Sequence, residues 1–500
     1  MTTDSVASGE AVTSSGHIDI LIVGAGISGI DAAYHIKNSL PGRSFLMLET
    51  QASFGGTWET HTYPGIRSDS DLYTFGYRWK PWIGAPIATR EEILSYLNET
   101  LDEQGLRESI RYRHKVRSAS WSSEKQIWRV IVDNLETGDC CEFTTNFLWM
   151  CQGYYDHDRP YTPEWPGMEN YKGRVVHPQL WPDDLDYSDM EVLVIGSGAT
   201  AATIVPAMAG KCKHISMLQR SPTYFLPNPN ANELADILNT LDIPDEWTHE
   251  IVRKKILLDQ EELTRRSVEE PEAVKAELLE AAREILGDDF DIDKHFTPSY
   301  RPWQQRLAFI PDGDLFQGIR DGLATVVTDE IDTFTEKGVR VKSGEEIEAD
   351  LIVTATGFNL HVLGGIAFDV DGKSVDLADT VTWHGIMFTG VPNLAWVFGY
   401  FRASWTLRAD LIADLLMRMF QHMETSGTTE VMPALRPQDK NMRLGPWIEA
   451  DNFNPGYLQR GLHMMPQQGD QEPWLFTQDY WYEKDALPAA DLEDGSLNYS

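Results

Sequence analysis

The sequence predicts an α/β fold of two Rossmann-like units with a helical insertion, and three observations carry that prediction. An apolar run, Ile20-Leu-Ile-Val23, meets Gly24-Ala-Gly26-Ile-Ser28-Gly29 and then a helical pattern to about Leu40. A second run, Glu191 to Ile195, meets Gly196-Ser197-Gly198-Ala199-Thr200-Ala201 and a second helix ending near Gly210. Between Pro227 and Pro302 the pattern turns to charged helix, with Ala273 to Ile285 a clear candidate. A length of 500 residues suits about three domain-sized units.

Strand, glycine turn and helix in succession make a dinucleotide site. The first glycine turns the chain, the second lets backbone approach a pyrophosphate, and the third lets the helix pack on the strand, with the phosphate at the helix N-terminus. After the first helix, Pro41-Gly42 leads to a strand at 44–50 with Glu49 near its end, 20 residues beyond Gly29. A carboxylate there accepts hydrogen bonds from a ribose 2'-hydroxyl. The first ligand is therefore an adenosine without a 2'-phosphate, and FAD and NAD both fit. In the second unit Ala201 replaces the last glycine, and the strand His214 to Leu218 ends in Gln219-Arg220-Ser221 with no acid. Arginine suits a 2'-phosphate that a carboxylate would repel, so the second ligand is NADPH rather than NADH.

The 42 basic and 77 acidic residues give a net charge of -35, which argues against nucleic acid or an anionic membrane as partner. Cys140, Cys141, Cys151 and Cys212 form no C-x-x-C pair, which excludes a dithiol redox centre and points to buried thiols in a reducing cytosol. None of the 13 histidines stands in H-E-x-x-H or similar spacing, so no metal is expected. Residues 1–16 are Ser/Thr-rich, carry Asp4 and Glu10 and no basic residue, and read as a disordered tail rather than a secretion signal. No uncharged apolar run is long enough to span a bilayer. A cytoplasmic enzyme, monomer or homodimer, is expected.

Three further stretches carry a resemblance. Residues 55–69 read Gly55-Gly56-Thr57-Trp58-Glu-Thr-His-Thr-Tyr63-Pro64-Gly65-Ile-Arg67-Ser68-Asp69; residues 171–182 place Tyr171, Gly173, His177 and Trp181-Pro182 between the two glycine turns; and Pro298, Tyr300, Pro302 and Arg306 share a Pro-x-Tyr-x-Pro-x-x-x-Arg spacing. Together they resemble the type I Baeyer-Villiger monooxygenases, with Tyr171 where that family usually has Phe, and the stretches 63–77 and 295–307 are similar to the ethionamide-activating branch. The resemblance implies FAD in the first unit (Gly24, Gly26, Ser28, Gly29, Glu49, Gly56, Thr57, Trp58, Asp69, with Val116 near the adenine). It implies NADPH in the second (Gly196 to Ala201, Arg220, Ser221, with Arg67 to Asp69 meeting the nicotinamide cofactor). Gly173, His177 and Trp181 become a linker coupling the domains, and Thr356-Gly357 the return to the FAD domain. Ser404 is expected to cap a helix at 405–420 that starts beneath the flavin.

The implied domains are 17–153 with 350–500 for FAD, 154–226 with 306–349 for NADPH, and a helical insertion at 227–305. The implied reaction consumes NADPH and O2 and converts ketones, linear aliphatic or aryl-alkyl, to esters or lactones through a C4a-peroxyflavin. Arg306 would stabilise the anionic peroxide and its adduct, and Asp69 would orient Arg306. A flavin-containing monooxygenase that oxygenates sulfur or nitrogen is the alternative. Beyond Gly427 the chain is Pro-rich, and no substrate-lid signature can be matched.

Overall fold

The computed structural model describes residues 12–500. Its first unit is a sheet whose path runs Lys373–Ser374, Ala367–Val370, His114–Ser122, Ile127–Asn134, Cys140–Met150, Val12–Val23, Phe45–Leu48, Ile110–Arg111, with Leu394–Trp396 also on Cys140–Met150. The strands around Val12–Val23 are parallel, and His114 to Met150 is the expected antiparallel meander, turning at Gly138. The expected tail at 1–16 lies outside the described residues as far as 11. Its end is strand instead: Val12 to Gly16 pair with Cys140 to Phe143, because that partner strand runs on past the apolar stretch and leaves backbone groups to satisfy.

The second unit is an all-parallel sheet in the order Ala324–Thr328, His214–Gln219, Glu191–Ile195, Leu351–Thr354, Arg174–Val176. Two expectations change here. Leu351–Thr354, assigned to the FAD unit by a boundary at 350, pairs with Glu191–Ile195 inside the second sheet, where its uninterrupted apolar side chains are buried. The second unit thus continues past 350, and the chain leaves it only at Thr356-Gly357. Within the linker, Arg174–Val176 is the edge strand of this same sheet.

Helix Ile27–Ser39 (α1) follows the first glycine turn, and Ala199–Met208 (α2) follows the second. The insertion holds helices Glu233–Thr240, Asp245–Glu269 and Pro271–Leu286, closed at its base by the parallel pair Phe225–Asn228 and Ala308–Pro311. Arg253 in its long helix donates to the carbonyls of Tyr73, Thr74 and Gly76, tying the insertion to the first unit. No helix among the described residues is long and apolar enough to cross a membrane.

Helix Trp405–Ser426 (α3) packs beside α1 in the core of the first unit. Ser404 stands at its N-cap position but makes no cap hydrogen bond; its hydroxyl lies 2.7 Å from that of Thr74. The expected cap is therefore replaced by a tertiary contact. One turn on, Arg408 is fully buried, its Nε donating to Glu483 at 2.8 Å and its Nη groups to the carbonyls of Phe398 and His384. Removing one partner of a buried, hydrogen-bonded pair strands the other charge. Arg408→Met should cost about 3–5 kcal/mol in chemical denaturation, and adding Glu483→Gln should recover part of that loss; no recovery would show that the guanidinium acts through packing alone.

Candidate active site

At the first turn the backbone is held in a shape only glycine takes comfortably. Gly24 has φ +104°, and a Cβ there would meet the Cys151 carbonyl oxygen at 2.6 Å; a Cβ on Gly29 would lie 2.0 Å from the Gly24 oxygen. Gly26 and Gly56 face each other so closely that a Cβ on Gly56 would lie 3.1 Å from the Gly26 Cα. What remains is a bare cradle at the N-terminus of α1, which fits a pyrophosphate. Glu49 is buried, and its carboxylate accepts from the N–H of Ala25 and of Gln51, each at 2.8 Å. Burial lifts its pKa above the usual range, against those N–H groups. Each oxygen keeps acceptor capacity for a ribose hydroxyl.

Around this cradle, Thr57 and Trp58 open the short helix Thr57–Thr60, with Trp58 edge-on to Phe75 at 5.9 Å. Val116 is buried next to a bulge in the meander. Ser28 is used internally: its hydroxyl accepts from the Trp405 indole at 2.8 Å, joining the first turn of α1 to the first residue of α3.

The second turn repeats the shape. Gly196 has φ +133°, and a Cβ there would lie 2.3 Å from the Ala355 oxygen, whereas Gly198 opens on free space at the start of α2. Ala201 is fully buried, so its methyl packs where the last glycine of the motif would stand. Ser197 lies 2.9 Å from the Thr223 hydroxyl and 3.3 Å from the Ser221 carbonyl, and Arg220 is exposed just past the strand His214–Gln219. Below it, Thr356 donates to the Tyr161 carbonyl at 2.6 Å, and Gly357, at φ +98°, offers its carbonyl to His177 Nε2 at 3.2 Å. His177 Nδ1 accepts from the Gln179 N–H, so the imidazole is a structural tie between linker and crossover. Gly173 is close-packed, since a Cβ would lie 2.3 Å from the Tyr171 phenol oxygen, and Trp181 meets Tyr187 edge-on at 6.4 Å.

The loop from Tyr63 to Asp69 joins the units, and its alternate residues do the joining. Tyr63 shares a hydrogen bond with Thr200 on α2. Gly65 lies flush on α2, where a Cβ would meet the Ala207 Cβ at 2.3 Å. Arg67, expected from the resemblance to meet the nicotinamide cofactor, pairs with Asp314 at 2.5 Å and reaches the Ala202 carbonyl at 3.5 Å. Asp69 pairs with Arg306, Oδ2 to Nε 2.7 Å, with both side chains about one-third exposed at 39% and 34%. Ser68 points back into the first unit, its N–H and hydroxyl engaged by the backbone of Ala88.

Three phenols missed by sequence reasoning, those of Tyr154, Tyr155 and Tyr457, lie near the arginine. Burial would weaken the Arg306 guanidinium, but the Asp69 carboxylate more than offsets it. Tyr154 also stacks on Trp405, centroids 5.3 Å apart and planes 9° from parallel. Tyr154-Tyr155, which begin four residues beyond the end of the strand Cys140–Met150, were open to suspicion from sequence. Tyr457 was not, because the helix Gly456–Gly461 belongs to the irregular region after Gly427. That region is anchored over the arginine loop by Arg301, which donates to the carbonyls of Asp451 and Asn452, and by the Asn454 N–H on the Gln304 carbonyl.

A buried imidazole sits at the foot of the loop. His61 lies edge-on to Tyr63, Phe358 and His157 at 6.0, 5.6 and 6.5 Å, and burial, with His157 and His177, pushes its pKa down to about 4. Its folded value is thus depressed below that of the open chain. Above pH ~6.5 both states are neutral and nothing is lost; as pH falls toward the folded value the unfolded chain alone takes the proton, at a cost approaching ~3 kcal/mol. The thermal midpoint should therefore drop through this window, and less steeply in His61→Gln; equal slopes would contradict the assignment.

Two bare-backbone cradles, one beside a buried carboxylate and one beside an arginine, define a two-dinucleotide flavoprotein oxidoreductase. Residues 22–79 match the NAD(P)-binding Rossmann-like domain, and residues 86–231 the flavin-binding monooxygenase-like family. The FAD-containing monooxygenase EthA of Mycobacterium tuberculosis is 41% identical over 486 residues, 97% of this chain and 98% of that one. EthA of Mycolicibacterium smegmatis is 42% identical over 489 residues, 97% of each. MymA of M. tuberculosis is 43% identical over 491 residues, 97% of this chain and 98% of that one. The chain belongs to the FAD-containing monooxygenases, and FAD is its flavin cofactor. In fold it is similar to a steroid monooxygenase bound to NADP, at TM-score 0.75 and 22% identity over 97% of this chain and 99% of that one. It is also similar to cyclohexanone monooxygenase, at TM-score 0.69 and 19% identity over 85% and 91%.

Proposed function

We propose that the protein is a Baeyer-Villiger monooxygenase that inserts one oxygen atom of O2 beside the carbonyl of a linear aliphatic or aryl-alkyl ketone, giving an ester. FAD, reduced by NADPH, supplies the activation of O2. The observation that carries the reading is the Arg306–Asp69 pair, placed where the two units meet, with Tyr154, Tyr155 and Tyr457 near it. Negative charge gathers on oxygen during insertion, and a cation already oriented by its carboxylate partner stabilises it without the reorientation that water needs. Asp69 fixes the Nε edge of Arg306 and so aims the rest of the guanidinium.

The other groups bind and orient. The glycines from Gly24 to Gly29, with Gly56, Thr57 and Trp58, receive FAD; Glu49 takes its ribose, and Val116 lies near the adenine. Gly196 to Ala201 receive NADPH, with Arg220 and Ser221 on the 2'-phosphate, which Glu49 in the same place would repel. His177, engaged at both ring nitrogens, couples linker to crossover rather than moving protons.

The test is Arg306→Ala. Flavin reduction by NADPH should stay within about threefold of wild type while ester formation from ketones falls by about 100-fold or more. Ester formation at the wild-type rate would remove the arginine from the mechanism. If the wild-type protein makes sulfoxides from thioethers and no ester from any ketone of a linear, cyclic and aromatic panel, oxygenation of sulfur or nitrogen takes the place of this reading.

A further inference from the structure

On the side of α1 that packs against α3, three potential ligands converge at a place the proposed reaction does not use. Asp31 and His35 stand one turn apart on α1 and so share a face, and Asp410 and Asp414 repeat that spacing on α3. His35 Nε2 lies 3.6 Å from Asp31 Oδ1 and 3.6 Å from Asp410 Oδ1, and one ligand atom from each of the three residues lies within 4.8 Å of the others. We propose that Asp31, His35 and Asp410 bind one divalent cation of the zinc class, which clamps α1 to α3.

Several observations support a cation here. A separation of 3.6 Å is too long for a hydrogen bond. It is the spacing of two ligands each about 2.0–2.2 Å from one tetrahedral ion, which places them ~3.3–3.6 Å apart. Exposure is 1% for Asp31, 3% for Asp410 and 7% for His35. His35 Nε2 and both carboxylate oxygens of Asp410 are buried with no hydrogen-bond partner. Two carboxylates drawn this close in a dry core repel each other and have lost their water, a cost that a shared cation offsets.

The surrounding groups hold the ligands without satisfying them. The Trp79 indole donates to Asp31 Oδ1 at 3.0 Å. Arg253 Nη2 forms an ion pair with Asp410 Oδ2 at 3.8 Å, beyond hydrogen-bond reach, while its Nη1 is taken by three carbonyls of the first unit. Asp414, held by Arg78 at 3.0 Å, stands 3.9 Å from His35 Nδ1, on the far side of the ring from Nε2, where a carboxylate orients a ligating imidazole. One imidazole and two carboxylates, with room in the coordination shell for water, suit zinc better than a soft thiolate metal or an all-oxygen magnesium site. Sequence spacing gave no hint, because the ligands lie on helices near opposite ends of the chain.

The test uses the flavin-loaded protein, dialysed with zinc chloride and passed through gel filtration. Metal analysis should find about one zinc per chain, and X-ray absorption of that sample should show a shell at ~2.0–2.1 Å with one imidazole and no sulfur. His35→Gln and Asp410→Asn, each checked for retained flavin, should weaken zinc binding at least about 10-fold. If neither variant folds, the wild-type absorption spectrum decides. No retained zinc, a sulfur or second imidazole ligand, or undiminished binding in a folded variant would each overturn the site.

Discussion

The loop from Tyr63 to Asp69 must serve two units at once, and the rest of the structure depends on how it does so. It opens in a turn, where the Ile66 N–H donates to the Tyr63 carbonyl at 3.2 Å and Gly65 takes φ +74°. Tyr63, Gly65, Arg67 and Asp69 all face the second unit, on Thr200, Ala207, Asp314 and Arg306. Between them the backbone is tied to the first unit: the Ile66 carbonyl accepts from the Arg90 N–H, and the Ser68 N–H and hydroxyl meet the backbone of Ala88. A one-residue slip would separate Asp69 from Arg306 and place a side chain against α2 where only glycine fits. The spacing of this stretch is thus a requirement of geometry as much as of cofactor contact.

Charge follows the same economy. A chain with a net charge of -35 that takes two anionic dinucleotides must gather positive character locally. It does so with backbone N–H groups at the starts of α1 and α2, which add no net charge, and with single arginines at chosen points. The link from Ser28 to Trp405 brings the start of α3 to the same place as the start of α1. Two positive helix ends then converge on the first cradle, a favourable setting for an anionic ligand.

Much of this was legible in the sequence because the signals are local. Glycine spacing, the carboxylate at Glu49 and the arginine at 220 are read over short windows, and the pairing of Asp69 with Arg306, expected from resemblance, is present at 2.7 Å. What was not legible depends on residues meeting across long separations. Leu351–Thr354 reads as a buried strand in either unit, and only its partners decide. Ser404 has the right residue type for a cap, yet Thr74 draws its hydroxyl away. The partner of Arg67, Asp314, stands 247 residues away, and Tyr457 lies in a stretch whose irregular, Pro-rich pattern carries no period to read.

The central claim is that one chain holds two adenine dinucleotides of unlike ribose chemistry so that one reduces the other. Anaerobic titration of the purified yellow protein, followed through flavin absorbance, tests it most directly. One equivalent of NADPH per bound FAD should bleach the flavin, and NADH at the same concentration should do so far more slowly. A colourless protein that takes up no FAD, or a flavin bleached equally well by NADH, would contradict it.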